Sequence, residues 1–429
     1  MMPVLRALTS APGAGSIRGQ QSWWGRWWLP VAAWTVVVVY SVHALASLYG
    51  RPEALRFEDL HVYTGSLNFL REGRNPYDFQ ASNGDPFTYP PAALLLFLPL
   101  MLLDLPQAEL VWTVVTFILT GLLAWVTMRA LRSALRLSVG VPLVTLVLLW
   151  SAPLQSNLRF GQVSILIVLL CAVDLFRRVP GKLSGLLIGV AAAVKLTPLI
   201  FIAWLLFCRR WREAAVAMTA FVGSSVVAAV LWPAVSERYW LHDVAVIGRI
   251  GDLSLGGNQS LQGVLLRSGA TEPATLHALW VALSICIAIL SFYRARVIAL
   301  ESRVLATCVI GCAGLLVSPV SWSHHQVWTV LAGVAMLTQT GRLVRSGGAV
   351  TLVLMLLSPS QLPGYGAVGL TWLWQNGRAL IEVVIAALLP LRPRQPLEEG
   401  PGRRPADYGH ETTTPEGAAG RMSELHVGL

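Results

Sequence analysis

The chain has 429 residues, 55% of them hydrophobic and 13% charged, with a formal net charge of +10 and a mean hydropathy of +0.61. A soluble domain carries about 25% charged residues, so this composition excludes one and indicates an all-α polytopic membrane protein. The basic residues are mostly arginines in short clusters between apolar runs, with no aromatic-interleaved basic groove. That pattern argues for membrane topology and against a nucleic-acid partner.

Residues 1–26 are rich in Gly, Ser and Arg and are expected to form a loosely ordered cytoplasmic segment. The apolar run 27–48 is too long for a signal-peptide core and lacks a small-residue cleavage site, which predicts an uncleaved first span. Over 49–88 the chain turns polar, with Gly73, Asn75-Pro76 and Asn83-Gly84 as turn signals, and predicts a large loop with one short helix at 59–71. Apolar segments follow at 89–103, 107–128, 139–153, 161–176, 183–194, 197–207, 212–232, 274–292, 303–317, 325–340, 349–357 and 368–390. Several are shorter than the roughly 20 residues of a full span. The basic clusters that begin at Arg129, Arg177, Arg209, Arg294 and Arg342 can all be cytoplasmic on one condition. Segment 89–103 must be re-entrant or interfacial, and 183–207 must be a broken pair that bends near Lys195. The expectation is a transmembrane domain over 27–390 with about 12 spans plus that irregular piece. Both termini are then cytoplasmic, the loops 49–88 and 233–273 face outward, and 391–429 is a disordered cytoplasmic tail.

This arrangement collects the polar motifs on the non-cytoplasmic face. They are Glu58-Asp59, Tyr89-Pro90-Pro91, Asn157 to Gln162, Lys195 to Pro198, Gly256 to Gly263 and Ser318 to His325. Non-helical backbone at membrane depth survives only where protein buries it or water lines it, so these breaks predict a shared cavity. Lys195, one of two lysines, either snorkels to an interface or binds a phosphate or sugar; the helix-breaking Thr197-Pro198 step favours binding. Arg159 fits the same work or an interface anchor. His324 and His325 are adjacent, would point to different sides of a helix, and have no acidic neighbour, so a metal is not expected there. They fit hydrogen-bond donors to an anionic group, or sugar contacts beside Trp322. Asn258, Gln259 and Gln262 suit sugar hydroxyls and suit a helix cap equally. Glu58 reads as a solvated loop acid and Asp59 as the working one. The five cysteines lie in or beside apolar spans without metal-like pairing to histidine, so neither a disulfide nor a structural metal is expected.

Asp59 in the first outer loop is followed in order by Phe87-Thr88-Tyr89-Pro90-Pro91, Gly161-Gln162, Val194-Lys195-Leu196-Thr197-Pro198, Asn258-Gln259-Ser260 and Ser321-Trp322-Ser323-His324-His325. On these motifs the chain resembles glycosyltransferase family 87 over roughly residues 30–390. Within that family it is most similar to the alpha-1,2-mannosyltransferases that extend phosphatidylinositol mannosides. The resemblance implies a membrane-embedded C-type (GT-C) glycosyltransferase fold and inverting transfer from polyprenyl-phosphate-mannose, with an acid of the first outer loop as general base. Asp59, which precedes Leu60-His61-Val62-Tyr63, matches that acid. The substrate-binding candidates are Glu58, His61, Tyr63, Tyr89, Arg159, Gln162, Lys195, Asn258, Gln259, Trp322, His324 and His325. Implied partners are the lipid-linked donor, a phosphatidylinositol mannoside or related glycolipid acceptor, and membrane lipid. No cofactor is expected, and the site should face the periplasm or cell exterior from the plasma membrane. The chemistry is consistent, since a sugar already activated on phosphate needs no nucleotide site, only a base and donors for the departing phosphate. The rival is a multipass transporter or flippase of a lipid-linked sugar, which would place charges at mid-membrane and open on both faces. Polar features crowded on one face favour the enzyme.

Overall fold

The computed structural model describes residues 28–131, 133–176, 181–270, 272–357 and 368–388. The segments 1–26 and 391–429, and Arg132, Arg177 and Arg178 of the basic clusters, lie outside them. Among the described residues the secondary structure is helical, and the one β-type pairing is an isolated bridge between Gln80 and Pro86.

Helix α1, Trp28–Tyr49, carries valines on exposed faces, among them Val31, Val36, Val38, Val39 and Val42. Such a surface suits lipid, because acyl chains solvate it and water does not. The predicted loop helix forms as α2, Glu58–Arg71. Next comes α3, Ala92–Phe97, which tightens into a 3-10 turn over Leu98–Leu102. At about 1.5–2 Å per residue this piece cannot cross a 30 Å hydrocarbon core. Its length fits the re-entrant or interfacial segment expected at 89–103.

Helix α4, Leu105–Ala130, starts at a capping box in which Asp104 and Gln107 satisfy each other's backbone N–H groups. Helices α5, Leu137–Trp150, and α6, Ala152–Phe160, meet at a 65° bend. Then follow α7, Ser164–Leu175, and the expected broken pair, α8 (Leu186–Val194) and α9 (Leu199–Phe207). The long helix α10, Trp211–Leu231, leads into α11, Pro233–Arg238, and a wide turn at Tyr239–Asp243. The second large loop ends in α12, Leu261–Arg267. The remaining helices are α13 (Pro273–Ile298), α14 (Arg303–Val317), α15 (Val327–Leu337), α16 (Arg342–Leu356) and α17 (Val368–Val383).

Among the described residues only α1, α4, α10 and α13 are long and apolar enough to cross a membrane alone, with a fifth crossing if α5 and α6 act together. Helices α7, α14 and α15 run 12, 15 and 11 residues. Helix length therefore does not establish the expected 12 spans. The short helices are interior elements. Every residue of α14 from Val304 to Leu316 is buried, and Ala306, Gly311, Ala313 and Gly314 let its neighbours approach closely. The helical breaks around this core form the wall of the site.

Candidate active site

Phe57 opens α2 from the left-handed region, φ 56°, at a cost of roughly 1–2 kcal/mol for a residue with a Cβ. The surroundings hold it there. Its ring is fully buried, and its N–H donates to the carbonyl of Arg159 at 2.6 Å. Glu58 and Asp59 then occupy the first turn, where free N–H groups and the helix dipole favour carboxylates. At the end of α6, Gly161 adopts φ 68°, and a Cβ there would meet Leu60 Cβ at 2.7 Å. Glycine at this position is what lets α6 close onto α2 and bring Gln162 onto the same cavity wall as Asp59.

The helical break between α8 and α9 supplies Lys195 in extended conformation, φ −150° and ψ 130°. The Thr197-Pro198 step prevents helix from continuing through it. Lys195 Nζ lies 2.7 Å from His325 Nε2 and 5.2 Å from the centre of the Tyr89 ring. His324 and His325 sit on a tight turn, Ser323–His325, with their rings perpendicular and 4.3 Å apart. Adjacent histidines on an α-helix would diverge; on this turn both reach the same space. The expectation that they point to different sides is thereby corrected.

Asp59, Tyr89, Gln162, Lys195, Trp322, His324 and His325 all line one cavity of about 580 Å³, within the range of small-molecule sites. The shared cavity expected from the broken helices is present. A narrow crevice of about 40 Å³ shares Lys195 and His325 with it and continues along Ile167, Val168, Ile200, Phe201, Leu315 and Trp328.

The other candidates lie behind the wall. Tyr63 is fully buried and stacks on Phe97 at 4.2 Å. His61 faces away and pairs through Nε2 with Glu109 Oε1 at 2.9 Å. Arg159 donates to Glu58 Oε1 at 3.4 Å, while Asn83 donates to Glu58 Oε2 at 3.2 Å. Asn258 Oδ1 accepts from the N–H groups of Ser321 and Ser260. Gln259 Oε1 accepts from the N–H of Ala379, and its Nε2 donates to Gln375 O, so the amide bridges two groups that would otherwise pair within α17. Neither side chain lines the cavity; both fasten the histidine turn to its supports.

Burial pushes the Asp59 carboxyl up to about 7, against the Gln162 hydrogen bond and the charge of Lys195, which favour its ionised form. Burial first, then the Lys195 charge, hold both histidines well below the ordinary imidazole value. They are neutral at pH 7. His324 Nε2 is buried and bonds no protein atom. His325 Nδ1 accepts from the Trp322 N–H at 3.1 Å.

The model of glycosyltransferase family 87 matches residues 87–319, more than half of the chain. The chain belongs to glycosyltransferase family 87. A relative from Mycobacterium tuberculosis, a polyprenol-phosphate-mannose-dependent alpha-(1-2)-phosphatidylinositol mannoside mannosyltransferase, is 33% identical over 75% of this chain and 78% of its own length. The corresponding phosphatidylinositol pentamannoside mannosyltransferase of Mycolicibacterium smegmatis is 32% identical over 69% of this chain and 73% of its own. No solved structure matches the chain. Membership of family 87 makes the protein an enzyme and sets the transporter alternative aside.

Sequence reasoning missed several cavity residues of this family 87 enzyme, notably Asp85, Ser156, Thr197, Asp243, Arg249 and Asp252. Arg249 had a signal. It is an arginine in a loop expected to face outward, against the positive-inside trend, and it donates to Phe87 O at 2.9 Å while pairing with Asp243 at 2.7 Å. Glu109, a lone carboxylate in the apolar run of α4, was equally readable and missed.

Proposed function

We propose that this enzyme transfers mannose from polyprenyl-phosphate-mannose to a hydroxyl of a phosphatidylinositol mannoside. Anomeric configuration inverts and an alpha-1,2 linkage forms, on the outer face of the plasma membrane. Asp59 takes the proton of the acceptor hydroxyl, whose oxygen attacks the anomeric carbon. The bond from that carbon to the phosphate oxygen breaks, and polyprenyl phosphate leaves with the electron pair.

The observation that carries this reading is one cavity holding a carboxylate near its ionisation midpoint at neutral pH together with Lys195 and two neutral histidines. His325 stands between the Trp322 N–H, 3.1 Å from its Nδ1, and Lys195 Nζ, 2.7 Å from its Nε2. At 2.7 Å the two nitrogens share one hydrogen bond, and the N–H groups of Lys195 left over are the donors that an anionic oxygen completes, with the buried, unpartnered His324 Nε2 in the same cavity. The apolar crevice that starts at Lys195 and His325 suits the first isoprene units of a lipid-linked phosphate. The names of the relatives supply the donor and the acceptor class.

The test incubates purified enzyme with polyprenyl-phosphate-mannose and a panel of phosphatidylinositol mannosides, lipomannan and arabinan acceptors, and determines the product linkage. Mannosylation of a phosphatidylinositol mannoside through an alpha-1,2 bond, abolished by Asp59→Asn, is expected. Full turnover by Asp59→Asn would remove the base, and transfer only to another acceptor would remove the substrate assignment.

A further inference from the structure

Tyr89 lines the cavity with its ring, yet its hydroxyl points into the protein. That hydroxyl donates to Gln162 Oε1 at 2.8 Å and lies 2.9 Å from the Tyr63 hydroxyl. A phenol has one proton to give. Since Tyr89 spends its own on Gln162, Tyr63 must be the donor in the Tyr63–Tyr89 bond. The direction of both bonds is thus fixed from Tyr63 through Tyr89 to the carbonyl end of the Gln162 amide. The NH₂ end is left for Asp59, which lines the same cavity and whose ionised form Gln162 favours.

We propose that Tyr89 is a positioning residue for Asp59, acting through Gln162: its hydroxyl locks the amide so that the NH₂ group, and not the carbonyl, meets the carboxylate. The proposal rests on the reading of Asp59 as the base. The chain of bonds cannot carry a proton away, because it passes through a carboxamide. Its work is orientation. An amide free to turn over would present its carbonyl to the carboxylate, and two acceptors in contact at a buried site repel. Tyr89, a substrate-binding candidate by sequence, therefore acts on the site from behind, while Tyr63, the other such candidate, only donates to the Tyr89 oxygen and has no part in holding the amide.

The charged and titratable groups near Asp59 bound the experiment. Glu58 is its neighbour on α2, Asp85 stands on the loop that follows, and Lys195 faces it from the α8–α9 break. Tyr63 and Tyr89 lie beneath it, while His324, His325, Asp243, Arg249 and Asp252 complete the cavity wall. Profiles of kcat/KM against pH would be measured for wild type, Tyr89→Phe, Gln162→Met, the double variant and Tyr63→Phe, with the unfolding midpoint of each in detergent. Loss of a hydrogen bond to a charged group is expected to move the acid limb of Tyr89→Phe to higher pH by roughly one unit. At pH 6 kcat/KM then falls about tenfold, and at pH 9 it recovers, with KM little changed. Gln162→Met shifts the limb at least as far, and adding Tyr89→Phe to it shifts the limb no further. Tyr63→Phe leaves the bond from Tyr89 to Gln162 in place and leaves the limb where it is. A limb unchanged in Tyr89→Phe, or additive shifts in the double variant, overturns the proposal. If Tyr89→Phe fails to fold, a Gln162→Met limb identical to wild type overturns it equally. Activity retained by Asp59→Asn would defeat the base itself; an inactive Asp59→Asn beside an unshifted Tyr89→Phe would defeat only the relay.

Discussion

The segments Asn258-Gln259-Ser260 and Ser321 to His325 touch each other and are similar in polarity, but they spend that polarity differently. In the first, side-chain bonds run to protein partners: Asn258 to Ser321 and Leu253, Gln259 to α17, Ser260 to Pro319 O at 2.9 Å. In the second, His324 keeps a buried Nε2 without a protein partner, and both histidine rings face the cavity. In a membrane protein a polar residue is costly wherever it lies, so its presence alone does not separate scaffold from site. Unspent hydrogen-bonding capacity beside a cavity does.

The sharpest break of this comparison is Asp59→Asn. It should lose nearly all turnover, about a hundredfold or more, because the amide cannot accept the proton. Stability should move the other way. The folded chain holds the Asp59 proton up to about pH 7, above the free value, so this group's contribution to stability is full below about pH 4 and is lost as pH rises through 7. Asn has no such loss, and Asp59→Asn is expected to unfold at higher temperature than wild type at pH 8. A lower Tm at that pH would mean that the carboxylate also holds the fold.

Next come the donors. Lys195→Ala and His324→Ala should each lower kcat by about ten- to a thousandfold while moving Tm less than scaffold substitutions do. Wild-type kcat in both would leave the phosphate without its proposed partners. Asn258→Ala reverses the pattern. It strips acceptors from the buried N–H groups of Ser321 and Ser260 and should cost about 1–3 kcal/mol of stability, read from chemical unfolding in detergent. Its kcat per folded molecule should fall less than that of Lys195→Ala. The smallest effect belongs to Glu58→Gln, whose partners Arg159 and Asn83 lie outside the cavity. Turnover within a few-fold of wild type is expected, and a loss matching that of Asp59→Asn would transfer the role of base to Glu58.

The sequence made the cavity legible because its wall is built from helix breaks, and breaks announce themselves through Pro198, Gly161 and the polar residues around them. The short loop helix was legible from its flanking turn signals. What stayed hidden was direction. His61 is two residues from Asp59 on one helix, and only the packing of α2 on α4 decides that one enters the cavity while the other meets Glu109. Asn258 and Gln259 could not be sorted from sequence either, since a carboxamide that binds a sugar and one that staples backbone have the same composition. Helix length does not establish the span count for a related reason. Helices such as α14 are buried by neighbours and do not need the length that lipid contact demands.

The bridge from Gln259 to α17 also has a consequence for biosynthesis. Arg378 on the same helix donates to Ser323 Oγ at 3.2 Å, so the histidine turn is fastened directly and through Gln259 to one late segment of the chain. Translation delivers the histidines well before it delivers their anchor. The histidine end of the cavity therefore gains these supports only when α17 docks, and a nascent chain halted ahead of that helix carries the histidine turn without them.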